Sequence, residues 1–249
     1  MSHTMRVIVF ASQKGGSGKT TLAGHIGVMA ELAGAGPVAL IDTDPQGSLA
    51  KWWNCREASQ PAFIHSVFQN LVHDLDEARA AGFKLVVIDT PPAVTKAISE
   101  VVSFADLVVL PTRPSPHDLR AVGPTIDIVD ARKKPMIFAL NAATPRAKIT
   151  MEAAVALSQH GTVAPVTIFN RTDFAASMID GRTVMEVDPS GKSAEEVKGL
   201  WEYIQQRLAK LDAAQAEAAD PAVIQAAPAF RNVNSLGREV PIFGRRAVS

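Results

Sequence analysis

Two lysines, three glycines and two threonines fall within eight residues, Lys14-Gly15-Gly16-Ser17-Gly18-Lys19-Thr20-Thr21. The chemistry this composition suits is the holding of phosphate. Glycines accept positive φ, which lets successive backbone N–H groups converge on one point. Lys19 can reach β- and γ-phosphates, and the Thr20 hydroxyl can ligate Mg²⁺. An apolar run, Val7-Ile8-Val9-Phe10-Ala11, precedes the loop, and a helix-like segment from Leu22 to Leu32 follows it. Strand, glycine-rich turn and helix N-terminus, in that order, are the context of a phosphate-binding loop, with the helix end adding partial positive charge. A plain Gly/Ser/Lys surface turn is the competing reading, and it would require all these positions to coincide by chance.

Three further places carry candidate chemistry. Asp42-Thr43-Asp44-Pro45-Gln46-Gly47 follows a second apolar run. Two carboxylates there can hold the waters of Mg²⁺ or orient an attacking water, although Asp, Pro and Gly also make ordinary turns. Leu85-Val86-Val87-Ile88-Asp89-Thr90-Pro91-Pro92 is an apolar strand ending in an acid, the form of a Walker B motif, in which the carboxylate holds Mg²⁺ through water. Asn141 ends the run Met136–Leu140, and its amide carries both a donor and an acceptor.

The elements that must position these residues are legible as alternation. Short Val/Ile/Leu-rich runs recur at Met5–Ala11, Val38–Ile41, Leu85–Ile88, Leu107–Leu110, Met136–Leu140 and Val163–Ile168. Near-continuous apolar runs of this kind suit strands covered on both faces. Helix-like segments fall between them at 19–34, 47–57, 67–81, 95–103, 117–132 and 149–160. The alternation predicts an α/β fold with a mostly parallel twisted sheet and helices on both faces, its ligands at the carboxyl ends of the strands. A polar stretch, 170–192, contains one short helix candidate over Asp173–Ile179. A longer amphipathic helix is expected from Ser193 to Leu211, with Ser193 and Glu196 spaced as a capping box and Val197, Leu200, Trp201, Ile204, Leu208 and Leu211 as its apolar stripe. Residues 1–211 are thus read as one domain, and 212–249 as a flexible tail with little core of its own. Between Pro221 and Ser249 the tail holds Arg231, Arg238, Arg245 and Arg246 against the single acid Glu239.

Composition removes several classes. In 249 residues, 25 Lys plus Arg balance 25 Asp plus Glu, so binding to nucleic acid or membrane must come from a local patch rather than a global field. Cys55 is the only cysteine, which excludes an internal disulfide and suits a reducing compartment. With no signal-peptide core and no long apolar run, the expected location is cytoplasmic. The histidines are too dispersed for a local metal motif, so no metal beyond nucleotide-bound Mg²⁺ is expected. Trp52, Trp53 and Phe63 could offer a stacking surface for bases, but packing is the reading taken here.

The loop departs from the standard Gly-x-x-x-x-Gly-Lys-[Ser/Thr] pattern, with Gln13 where glycine belongs and Lys14 beside it. In this form it resembles the deviant Walker A P-loop of the ParA/MinD family of dimerising ATPases. Asp42-Thr43-Asp44-Pro45-Gln46 is similar to that family's switch I, Asp89-Thr90-Pro91-Pro92 is similar to its form of the Walker B strand end, and Thr90–Lys96 would be switch II. Glu186-Val187-Asp188-Pro189 is similar to another family element, to which no chemistry is assigned. The resemblance covers roughly residues 5 to 210 and implies a P-loop NTPase that binds ATP and Mg²⁺ and hydrolyses ATP. It places Lys14 in trans on the partner's nucleotide, Lys19 in cis, and Asp44 at the step of hydrolysis. Gly15, Gly16, Ser17, Gly18, Thr20, Thr21 and Asn141 complete the nucleotide site, with Thr20, Asp89 and Asp42 as the metal set. The family's pattern further implies an ATP-bound homodimer that binds nucleoid DNA without sequence preference. A ParB-like or other adaptor would stimulate hydrolysis in order to partition or position a plasmid, chromosome or protein complex in a bacterium. Arg171, Arg182, Lys192 and Lys198 are the candidate phosphate-backbone contacts. A helix-turn-helix domain before the loop is not expected. Among the alternatives within the superfamily, an iron–sulfur reductase would need paired cysteines, and an amidotransferase a glutaminase domain with its nucleophile. A MinD-type membrane ATPase would need a C-terminal amphipathic helix, which Pro241 and Gly244 oppose, so membrane association is not expected.

Overall fold

The computed structural model describes residues 5–93 and 96–218. The basic stretch beyond Pro221 and the middle of the switch II segment lie outside the described residues. Seven strands, β1 (Arg6–Phe10), β2 (Val38–Asp42), β3 (Ala62–Ile64), β4 (Leu85–Asp89), β5 (Leu107–Thr112), β6 (Met136–Ala143) and β7 (Thr162–Phe169), form one sheet in the order β3-β2-β4-β1-β5-β6-β7. Every neighbouring pair is parallel. The fold is therefore α/β with a parallel sheet, as the alternation predicted. β3 has only three residues and no fully buried one, so no apolar run announces it.

Side chains alternate across each strand, and this splits the core in two. Ile8 and Phe10 of β1, Leu40 of β2 and Val87 of β4 face one cluster, whereas Val7 and Val9, Ile41, and Val86 and Ile88 face the other. The first cluster is closed by α1 (Lys19–Leu32), α2 (Ser48–Asn54), α8 (Thr172–Met178), α9 (Val184–Val187) and α10 (Lys192–Ala218). The second is closed by α3 (Leu71–Ala80), α4 (Lys96–Ser103), α6 (Gly123–Ala131) and α7 (Lys148–Ser158). Between β5 and β6, α5 (Pro116–Ala121) and α6 take the place of the single helix expected over 117–132. Pro124 lacks the N–H that a continuous helix would use, so the chain starts a new helix there.

Chain order makes β1 the pivot. The chain leaves β1 for β2 and β3, returns to β4 on one side of β1, and then crosses to β5 on the other. The loop after β1 therefore opens where the order reverses, the usual place for ligands on such sheets. α1 passes close to its neighbours: a Cβ on Gly24 would lie 3.0 Å from Trp52, and one on Gly27 would lie 2.5 Å from Leu40.

The late segment departs from expectation in its caps. Thr183 and Glu186 form the capping box, at the start of α9. Ser193 instead donates to Asp173 Oδ2 at 2.8 Å, and Glu196 accepts from the Phe169 N–H and pairs with Arg171. Val197, Leu200, Trp201 and Ile204 are buried as the stripe predicted. α10 runs on to Ala218, past the expected end at Leu211. Compact packing divides the chain into Met1–Leu208 and Ala209–Ser249, and the described part of the second unit is the end of this helix.

α1 is tied to α9 by His25, which is fully buried. Its Nδ1 lies 2.7 Å from the Thr21 carbonyl and its Nε2 accepts the Val184 N–H at 3.3 Å, so the neutral ring with the proton on Nδ1 satisfies both. Burial depresses its pKa to about 4. Between pH 6.5 and 4 the unfolded chain takes up a proton that the folded chain refuses, so stability is lost as pH falls through that window. The full effect is on the order of 3 kcal/mol. Urea melts should show stability falling from pH 6.5 towards 4, with a shallower slope in His25→Gln; an unchanged slope would exclude His25 as the source.

Candidate nucleotide site

Residues from β1, β2, β4 and β6 meet at the carboxyl edge of the sheet. The loop Ser12–Gly18 leaves β1 and enters α1, with Gly16 at φ +74° and Gly18 at φ +97°. Gly18 is the N-cap of α1, and no side chain caps that end. The first-turn N–H groups of a helix have no intrahelical acceptor, so this end is suited to an anion. Lys19, 6% exposed, is the first residue of the helix. Burial lowers its pKa, and the charges of Asp89 and Asp44 oppose that shift.

Thr20 and Asp89 are in direct contact: the Thr20 hydroxyl donates to Asp89 Oδ2 at 2.5 Å. Asp89 is fully buried, and its Oδ1 has no partner among the described residues. Burial raises its pKa to about 7, with the Thr20 bond and Lys19 pulling the other way. Ser17 is also buried, with its hydroxyl unpartnered among the described residues. Orphaned oxygens of this kind call for a ligand atom. The donor set of a hydroxyl, a carboxylate oxygen and a lysine beside an uncapped helix end fits phosphates with a hard divalent cation.

The β2 acids divide their work. Asp42 stands level with Asp89 across the β2–β4 pair. Its Oδ1 accepts the Asp44 N–H at 2.9 Å, while Oδ2 accepts the N–H groups of Leu49 and Ala50 at 2.9 and 3.1 Å. Asp42 thus caps the start of α2 and shapes the turn that carries Asp44. Asp44 is half-buried, and its Oδ1 accepts the Gln46 N–H. Thr43 and Thr90 stitch the edge together through the Asp89 and Phe10 carbonyls.

Asn141 is brought to the same place from β6. Its Nδ2 donates to the Ser17 carbonyl at 2.7 Å. The strand is irregular there, with register shifts between Phe138 and Ala143, and Ala142 sits at φ +50°. Contact with the loop is tight enough that a Cβ on Gly18 would lie 2.0 Å from Asn141 Nδ2.

Sequence reasoning missed the partner of Lys14. Lys14 Nζ lies 2.7 Å from Asp118 Oδ2 on α5 of the same chain. Ser115-x-x-Asp118 is a recognisable N-cap spacing, but nothing local links it to a residue so distant in sequence. The four candidate DNA contacts are not alike. Arg171 pairs with Glu196 and Arg182 with Asp180, both at 2.7 Å, whereas Lys192 and Lys198 are exposed with no ion pair among the described residues. Trp52 and Trp53 pack, donating to the Arg182 and Pro61 carbonyls. On α3, His73, Asp74 and Glu77 bring their ligand atoms together on one partly exposed turn, a grouping the sequence reading did not anticipate.

A family model, the CobQ/CobB/MinD/ParA nucleotide binding domain, matches residues 8–218. The chain belongs to this family. The Maintenance of carboxysome distribution protein A of Halothiobacillus neapolitanus is 31% identical over 199 residues, covering 76% of this chain and 91% of that protein. The chromosome-partitioning ATPase Soj of Thermus thermophilus is 26% identical over 245 residues, covering 82% and 97%. Among solved structures, apo McdA of Cyanothece aligns with a TM-score of 0.67 at 18% identity, covering 80% of this chain and 99% of that one. At that identity the likeness concerns the fold, which is that of the P-loop ParA/MinD ATPases. Among the described residues no helix is long and apolar enough to cross a membrane.

Gly18→Ala tests whether the loop geometry makes the site. A side chain there meets both a left-handed backbone and Asn141. ATP affinity, read by displacement of a fluorescent nucleotide, should fall at least about tenfold, since 1.4 kcal/mol suffices for that factor; wild-type affinity would show that the loop does not hold phosphate in this conformation.

Proposed function

We propose that the protein is a ParA-type positioning ATPase that binds Mg·ATP in the β1–α1 loop, dimerises around two nucleotides and binds DNA in that state. The observation that supports this reading is the doubled lysine of a phosphate loop, Lys14 and Lys19, with Lys19 beside the Thr20–Asp89 pair, in which Asp89 keeps one oxygen unpaired among the described residues. Lys19 and the loop N–H groups bind the phosphates of the chain's own nucleotide. Lys14 reaches the partner's nucleotide, so that two chains complete each other's sites. Mg²⁺ held by Thr20, and through water by Asp89, would neutralise charge on the β- and γ-phosphates. Asp42 sets the turn from which Asp44 orients the attacking water, and the products are ADP and phosphate. Asn141, held against the loop by the Ser17 carbonyl, would contact the edge of the base.

Relatives named for carboxysome distribution and chromosome partitioning support a positioning role, in which hydrolysis changes assembly state and a partner protein stimulates it. Lys192 and Lys198 have no ion pair among the described residues, while Arg171 and Arg182 must exchange a carboxylate for a phosphate. Nucleoid association follows from such binding. The competing reading is a MinD-type ATPase acting at a membrane.

Co-sedimentation with DNA or anionic liposomes, in ATP, ADP or no nucleotide, separates the two. DNA binding should require ATP and weaken steeply between roughly 50 and 200 mM salt, as phosphate contacts demand. Sedimentation with liposomes and indifference to DNA would favour the membrane reading. Independently, Asp44→Ala should lower ATP turnover by at least about a hundredfold, the order expected on losing an acid–base group, while leaving an ATP-bound dimer on DNA. Undiminished phosphate release would remove Asp44 from the mechanism.

A further inference from the structure

Lys14 is engaged within its own chain. Its ammonium group lies 2.7 Å from Asp118 Oδ2, and the two side chains are 36% and 5% exposed respectively. Ser115, the N-cap of α5, accepts the Asp118 N–H at 3.2 Å, and its hydroxyl bonds the same Oδ2. Asp118 Oδ1 is buried and has no partner among the described residues. The carboxylate is thus removed from water with one neutral hydroxyl and one cation for company. Withdrawing that cation would leave a buried charge without a counter-charge, a strongly unfavourable change, whereas the half-exposed lysine would regain water. The balance keeps Lys14 at home.

We propose that Asp118 is a positioning residue that holds Lys14 in its own protomer, making the Lys14–Asp118 pair the off state of assembly. The inference rests on the reading of Lys14 as the residue that acts across the dimer. One ammonium group cannot serve both the Asp118 carboxylate and a phosphate on a second chain at full strength. Assembly therefore proceeds when the partner's nucleotide outcompetes Asp118, and a triphosphate, with more charge than a diphosphate, competes better. The pair gives the protein a threshold that favours ATP over ADP, built from a contact within the free protomer.

Two measurements on the full chain test this. In thermal melts without nucleotide, Lys14→Gln should lower Tm, because Asp118 is left unpaired, and adding Asp118→Asn should restore it. In sedimentation equilibrium, Asp118→Asn should dimerise in Mg·ATP at roughly tenfold lower protein concentration than wild type and begin to dimerise in Mg·ADP, a fold-change that 1.4 kcal/mol accounts for. Ser115→Ala, which removes only the supporting hydroxyl, should move dimerisation the same way by less, and it serves as the readout where Asp118→Asn folds poorly. General damage to the fold would weaken assembly rather than strengthen it. Absence of coupling in the melts, or an Asp118→Asn chain that dimerises no more readily than wild type, overturns the latch. If the wild-type chain stays monomeric in Mg·ATP, the positioning function itself falls and the latch with it. Wild-type dimerisation combined with an unshifted variant overturns the latch alone.

Discussion

The nucleotide edge depends on a carboxylate without water. Asp89 closes β4 in register with Asp42 of β2 and Phe10 of β1, inside a sheet covered on both faces. Burial raises its pKa to about 7, so the free protein pays for the charged form near neutrality. Thr20 supplies one donor and leaves the other oxygen empty. The Mg²⁺ of the proposed function would favour the ionised acid and so act against the cost that burial imposes on it.

Two elements that leave the site are fastened to the same distant segment. α1, which begins at the phosphate loop, reaches α9 through His25. α2, which begins where Asp42 caps it, ends at Asn54, two residues before Arg56, whose guanidinium bonds Glu186 through both terminal nitrogens and also the Gly181 carbonyl. A Cβ on Gly181 would lie 2.5 Å from the Arg56 N–H nitrogen, so the backbones approach as closely as glycine permits. The contacts of both elements converge on residues 181–187, a segment that includes Arg182.

What could be read from the sequence was what is local. The loop Lys14–Thr21, the apolar strands with their terminal Asp42 and Asp89, and the stripe on α10 each announce themselves within a dozen residues. The strand β3 could not, since three half-buried residues leave no periodic trace. The break between α5 and α6 was available in Pro124 but lost within a longer helical pattern. Ser193 and Glu196 satisfied the spacing of a capping box, yet Asp173 and Arg171 offered them stronger charged partners, and the box formed instead at Thr183 and Glu186. Asp42 was legible as either metal-shell or structural carboxylate; three backbone N–H groups take up its oxygens and give it a structural role.

Asp118 shows the deeper limit. It stands 104 residues from Lys14, and only the order of the sheet brings the two together, because β5 lies directly beside β1. No pattern of spacing encodes such a pair. Yet the pair alters the meaning of the most legible motif in the chain. A loop with two lysines suggests a site with excess positive charge; in the free protein one of those charges is already neutralised by a buried acid of its own chain. What distinguishes this loop from an ordinary phosphate cradle is therefore a competition for one ammonium group, with a buried carboxylate on one side and a phosphate on the other.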